Sequence, residues 1–372
     1  MSDSSTLVCM AKIQLSEPVR VRLSRPADMA AAIPHLVGFQ PEESLVVVSL
    51  RGPRKRIGLT MRWDLPPPSL DDDFAEQIAI RLAADKAEYA LLACCTSEPS
   101  VAGVHPRAAL INAIESTAHV RGIPLLDALL IRAGRWLSYL CTDSECCPPD
   151  GADIPAATDV AAAHALMGRS PLPNRRSLEQ LLRPVGFVAR RAMEQTLDRV
   201  CDDFAERVIA GKGDALCTET VALVRSLIER FDDPRAATVT DDEAARVAVG
   251  LVDVCARDLV LAAMLDHDLE VVQTLFIELA RRALPPDDAP TCTVLAAAAY
   301  ADGNGALANV ALDRAEASDP EYSLATLLRE ALHRQVAPAQ MRKAWKEAGK
   351  EINRRLPPSR PAKKRKKAVR RT

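Results

Sequence analysis

The sequence predicts an α/β unit with a mixed sheet and flanking helices, then an all-α helical unit and a disordered basic tail. Three observations predict it. Strand- and helix-sized segments alternate up to about residue 150, only helix-sized segments follow, and the last stretch holds almost nothing apolar. Alternating elements pack as a layered sheet, whereas consecutive helices need a core of their own. At 372 residues the chain is also too long for one ordinary core. The expected organisation is a flexible 1–18, an α/β domain over 19–150, helical hairpins over 151–353 and a tail over 354–372.

Val19–Leu23 reads as a short strand. Arg25-Pro26 opens a helix, because the missing N–H of proline costs nothing in a first turn. Asp28 adds a negative charge near the positive end of that helix, and Gly38 can take the left-handed conformation that ends it. Gln40-Pro41-Glu42-Glu43 is a turn, and the valine-rich run Ser44–Leu50 is a buried strand. Gly52-Pro53-Arg54-Lys55 turns the chain into a second strand, Ile57–Trp63. Then come a helix over Asp71–Ala84 with an acidic first turn, a buried strand over Tyr89–Cys95 and a helix over Pro106–Val120. Leu125–Arg132 and Arg135–Cys141 form a hairpin about Ala133-Gly134. Tight hairpins make the sheet mixed.

Beyond Pro148-Pro149-Asp150-Gly151, helices are expected over 156–167, 177–183, 186–210, 214–231, 241–265, 268–284, 291–301, 304–318, 321–335 and 338–353. Ser177-Leu-Glu-Gln180 has the form of a capping box. Ala296, Ala308 and Ala315 fall at the spacing of one tetratricopeptide-type hairpin over Cys292–Pro320. The next segment does not repeat it, so the small residues indicate close packing, not a peptide groove.

Three blocks carry a family resemblance. They are Ser24-Arg-Pro-Ala-Asp28 with Pro34-His-Leu-Val-Gly-Phe-Gln-Pro-Glu-Glu-Ser-Leu-Val47, then Cys141-Thr-Asp-Ser-Glu-Cys-Cys-Pro-Pro-Asp-Gly151, and Asp302-Gly-Asn-Gly-Ala-Leu-Ala308 with Asp319-Pro-Glu-Tyr-Ser-Leu-Ala325. From about Val19 to Pro338 the chain resembles the actinobacterial family catalogued as domain of unknown function 4192. The resemblance implies a soluble, cytoplasmic protein of a high-GC bacterium, and it carries no site residues with it.

Composition narrows the function classes. Only 13 residues are Phe, Trp or Tyr, so the core must be aliphatic. No apolar run approaches the ~20 residues needed to cross a bilayer, and Met1–Met10 lacks the basic start of a secretion signal. A cytoplasmic protein without a membrane partner is expected. Its ten cysteines are then reduced thiols, with Cys201, Cys217, Cys255 and Cys292 packing as small hydrophobes on helices.

Charge is segregated. From Arg354 onward there are ten Lys or Arg and no acid, leaving 38 basic groups against all 50 acids elsewhere, a formal −12. Lys363, Lys364, Arg365, Lys366, Lys367, Arg370 and Arg371 form the densest run. They can displace counterions from nucleic acid without reading sequence, since no aromatic residue is there to stack on bases. A solvated solubility tail is the plainer alternative.

Other candidates are weaker. Asp28, His35, Glu43 and Ser44 (with Glu42) could line a cleft at a strand end, where α/β domains gather ligands. There is no G-x-S-x-G, H-E-x-x-H or Walker loop, so no cofactor is expected and the turn alone explains these residues. Cys141, Cys146 and Cys147 could share a zinc ion. Adjacent Cys146 and Cys147 are expected to diverge, which leaves a proline-rich turn with incidental thiols. Gly303-Asn-Gly305 and Asp266-His267-Asp268 read as helix junctions. The resulting expectation is a non-enzymatic binding protein, with protein contacts through the helices and nucleic-acid contact through the tail. The alternative is an enzyme or small-ligand binder at Asp28–Ser44, or a thiol or metal site at Cys141–Cys147.

Overall fold

Proline and glycine frame the first element. In the computed structural model, which describes residues 23, 25–101, 103–166 and 170–355, α1 (Pro26–Val37) starts on its proline and stops at Gly38, whose φ is 90°. The strand expected over 19–23 lies outside the described residues except for Leu23, as do the 1–18 segment and the chain from 356 onward.

A six-stranded mixed sheet follows. β1 (Ser44–Arg51) pairs antiparallel with β2 (Arg56–Asp64) and β3 (Tyr89–Cys95). β3 pairs parallel with β4 (Leu125–Arg132), and β5 (Arg135–Ser138) continues antiparallel. β6 (Ala152–Asp153) closes the order β2-β1-β3-β4-β5-β6. Two helices, α2 (Asp71–Ala84) and α3 (Ala108–Val120), lie in the connections on either side of β3. The parallel pair needs a crossover, and α3 supplies it.

Both faces of the sheet are covered, which is why β1 is an almost continuous apolar run. Leu45 and Val47 point to one side and join Ile78, Leu82, Ile111 and Ile114 of α2 and α3 in a buried cluster. On the other side α1 packs along the sheet, burying Ala30, Ile33 and Val37. The β4–β5 turn holds Ala133 at φ 49° and Gly134 at φ 75°, the doubly left-handed turn that matches strand twist.

The described residues form two compact units that divide after Leu178. Helical pattern begins at 151 in the sequence, but α4 (Asp159–Leu166) packs on α1 and so stays with the sheet. α5 (Arg175–Leu181) begins earlier than its expected capping box. Asn174 is the cap, its Oδ1 accepting the Ser177 N–H at 2.9 Å. The strand pattern also outlasts its expected end by one short element, β6, whereas β5 stops at Ser138 instead of Cys141.

The second unit is built from α6 (Phe187–Ile209), α7 (Gly213–Phe231), α8 (Asp241–Gly250), α9 (Val254–Ala263) and α10 (Leu269–Arg282), continuing through α11 (Asp288–Asp302), α12 (Gly305–Ser318), α13 (Ser323–His333) and α14 (Pro338–Arg355). The single helix expected over 241–265 is two. Asp253 interrupts it, because its carboxylate accepts the Ala256 N–H at 2.7 Å and caps α9 instead of extending α8. A capping box does exist, at Thr240 and Glu243. Cys217 and Cys292 are buried as expected, but Cys201 is half-buried and Cys255 exposed.

α11 is the central helix of this unit. It is buried along nearly all its length, and Ala296–Ala299 let α10, α12 and α13 approach closely. Gly303, at φ 85°, and Asn304 join α11 to α12 as the expected hairpin. Among the described residues no helix is long and apolar enough to cross a membrane.

α14 seats on α9 through Gly349, where an added Cβ would collide with the Ala262 methyl. Gly349→Ala gains ~1 kcal/mol of helix propensity, but overpacking costs ~1–3 kcal/mol. Alanine is therefore expected to be neutral to mildly destabilising. Gly349→Val, larger and β-branched, should lower the urea midpoint clearly, and an unchanged midpoint would show that α14 is not seated there.

Candidate functional site

Antiparallel pairing sets Ser44 opposite Cys95, so the start of β1 lies beside the carboxyl end of β3. Glu43 adopts φ 40°, a conformation uncommon outside glycine. This turns its carboxylate onto the segment after β3. Oε2 accepts the Thr96 hydroxyl at 2.8 Å, and Oε1 accepts the Ser97 amide and hydroxyl, each at 2.7 Å. Burial works against the carboxylate, but the Ser97 and Thr96 hydrogen bonds and the charge of Arg107 outweigh it and hold its pKa below the ordinary value.

The other strand-end candidates have different partners. The Ser44 hydroxyl donates to the Glu42 carbonyl and accepts from Arg62, with Nε at 3.0 Å. Asp28 pairs with Arg25 at 2.8 Å. His35 lies seven residues, or ~10 Å of helix, beyond Asp28, outside hydrogen-bond reach along α1. Its ring packs on His164 of α4 with centroids 4.6 Å apart. Asp28, His35 and Ser44 thus form no relay, and Glu43 serves a separate network.

Sequence reading missed the rest of that network. Arg107 and Asp71, at the starts of α3 and α2, form a buried ion pair at 2.7 Å. The Tyr139 hydroxyl donates to the Pro106 carbonyl at 2.7 Å, and its ring meets the His105 ring edge-on. Burial pushes the Cys94 thiol up to about 11, so it is protonated at neutral pH and a poor nucleophile. These groups are satisfied by one another, which describes a fastening for the strand ends. Polar residues at element ends on one rim of the sheet were the available signal.

His35 carries a pH signature. Its Nδ1 is buried with no hydrogen-bond partner, and burial lowers its pKa from 6.5. The unfolded chain then binds more protons than the folded one. This contribution is complete above pH 6.5 and is lost as pH falls below it. Glu43 adds a loss of the same sign in a lower window, as pH falls from 4.5 through its lowered folded value. Urea midpoints should therefore decline below pH 6.5, and His35→Phe should flatten the first part of the decline. A wild-type midpoint constant from pH 7 to 5.5 would contradict this.

The cysteine turn departs from expectation. Cys141, Cys146 and Cys147 have Sγ atoms all within 4.8 Å of one another. Divergence of neighbouring side chains applies to a strand, where they alternate by 180°. Here the Cys147 N–H donates to the Asp143 carbonyl at 2.7 Å, closing a helical turn. Neighbours in such a turn are only ~100° apart, so both thiols fold back over Cys141.

At the other end of the chain, α14 buries Trp345 and Gly349 and exposes basic residues. Over Pro338–Arg355 there are six Lys or Arg against Glu347 and Glu351. Lys350 makes no ion pair among the described residues, while Lys346 reaches Asp266 at 3.2 Å and Lys343 reaches Glu347 at 3.9 Å. A groove of about 800 Å³ beside α14 is lined in part by Arg225, Glu229, Lys346 and Lys350. The run Lys363–Arg371 lies outside the described residues.

Fold and candidate sites together define a two-unit protein, a mixed-sheet α/β unit followed by stacked helices, without a recognisable catalytic constellation among the described residues. The chain belongs to the family described as Domain of unknown function (DUF4192), whose model matches residues 26–339. No curated protein and no solved structure matches it. The basic end of α14 lies beyond the matched region.

Proposed function

We propose that this is a non-catalytic, cytoplasmic binding protein that contacts nucleic acid through α14 and the basic residues after it, and other proteins through its helical unit. One observation carries the nucleic-acid part: the outer face of α14 is basic, and the sequence continues it with eight more Lys or Arg and no acid. Exposed ion pairs such as Lys343–Glu347 are worth only ~0–1 kcal/mol, so those cations are available to phosphate. Releasing condensed counterions supplies the affinity.

Nothing on α14 suggests base reading, since Trp345, its only aromatic residue, is packed inward. The proposal therefore predicts equal affinity, within a few-fold, for duplexes of unrelated sequence. Equilibrium binding to two such duplexes at low salt tests it. Strong preference for one would refute the non-specific mode, and no binding to either would remove the nucleic-acid role.

A further inference from the structure

We propose that Cys141, Cys146 and Cys147 form a three-thiolate binding site for a soft metal ion, zinc(II) being the probe ion. The loop that follows β5 and the helical turn closed by Asp143 and Cys147 bring all three sulfurs within 4.8 Å of one another. Tetrahedral thiolate ligands ~2.3 Å from zinc sit ~3.8 Å apart, so closing each sulfur pair by at most ~1 Å through side-chain rotation completes the geometry.

The turn itself is well defined. Its carboxylate residue, Asp143, accepts the Glu145 N–H at 2.9 Å, and its carbonyl accepts the Cys147 N–H. Pro148 and Pro149 follow directly and restrict the backbone beyond it. Cys141 and Cys147 are half-buried and Cys146 is exposed, so an ion can enter from solvent on the Cys146 side. Among the described residues no fourth His, Cys, Asp or Glu joins the group. The fourth coordination position is left for water or an external ligand, the pattern of an open site.

Loading exchanges protons for metal. Three S–H bonds are replaced by three S–Zn bonds, up to three protons pass to solvent, and no electrons move. Deprotonation therefore opposes binding at neutral pH, and affinity must rise with pH.

The test uses the full-length, fully reduced protein, titrated with zinc(II) against a chromophoric chelator and with cobalt(II) for thiolate charge-transfer absorbance. One ion per chain is expected, bound more tightly at pH 8 than at pH 6. Cys146→Ser, an exposed change that keeps the fold, should weaken binding at least tenfold and reduce the charge-transfer band. Cys255→Ser, at an exposed thiol outside the cluster, should leave both unchanged. Circular dichroism confirms that each variant is folded. Zinc affinity retained by a folded Cys141→Ser, Cys146→Ser, Cys147→Ser triple variant would overturn the site, as would a wild type that shows no thiolate band.

Discussion

Raising salt from 50 to 200 mM is expected to weaken binding of the full chain to duplex DNA by about 10³- to 10⁵-fold. That range corresponds to six to ten phosphate contacts, and ten Lys or Arg follow Glu351 without an intervening acid. The folded body works against them, because the remainder of the chain carries a formal −12. Contacts must therefore be local to α14 and the segment after it. Charge on the body acts over a Debye length of ~10 Å at 0.1 M, which makes low salt the regime where the body also repels DNA. A fall of less than tenfold across this salt range would mean that fewer than about two phosphates are engaged.

Arg314→Ala is expected to destabilise the helical unit by about 3–5 kcal/mol. Asp288, at the start of α11, is only 1% exposed. It accepts from Arg314 at 3.0 Å and from the Ser318 hydroxyl. Arg314 also donates to the carbonyls of Leu182 and Ala283, at 3.2 Å for the latter, so one guanidinium ties three segments together. Truncation would strand a buried carboxylate, the costly way to break such a pair. Removing both charges as Asp288→Ala with Arg314→Met should cost less than Arg314→Ala alone. Urea unfolding followed by circular dichroism reads both, as a lower midpoint at unchanged slope. Equal losses in the single and double variants would show that the cost lies in packing and not in the unpaired charge.

What was legible in the sequence was local. Pro26 and Gly38 bound α1 because first-turn proline and left-handed glycine are backbone properties of single residues. β3 ran over Tyr89–Cys95 as read, since a short apolar run between turns is a complete signal for a doubly covered strand. Helix 241–265 was misread because apolar periodicity continues across Asp253, and only its side-chain bond to Ala256 ends one helix and starts another.

The candidate sites were less legible for a related reason. Glu43 could be singled out from its turn, but its partners Thr96 and Ser97 are 53 and 54 residues away and are set by the β1–β3 register. Arg107 and Asp71 are ordinary charged residues in the sequence and become a buried pair only when the starts of α2 and α3 meet. The cysteines were visible, but the spacing alone suggested that Cys146 and Cys147 diverge. The Asp143–Cys147 backbone bond, which reverses that reading, has no sequence signature of its own.

The most direct test of the central claim is the slope of log affinity against log salt for duplex DNA, measured for the full chain and for a chain ending at Arg355. Truncation there keeps all of α14 and removes eight cations. A slope as steep as about −9 is expected for the full chain, shallower by up to about 7 after truncation, with affinity falling in parallel. Equal slopes and affinities for the two chains would contradict it.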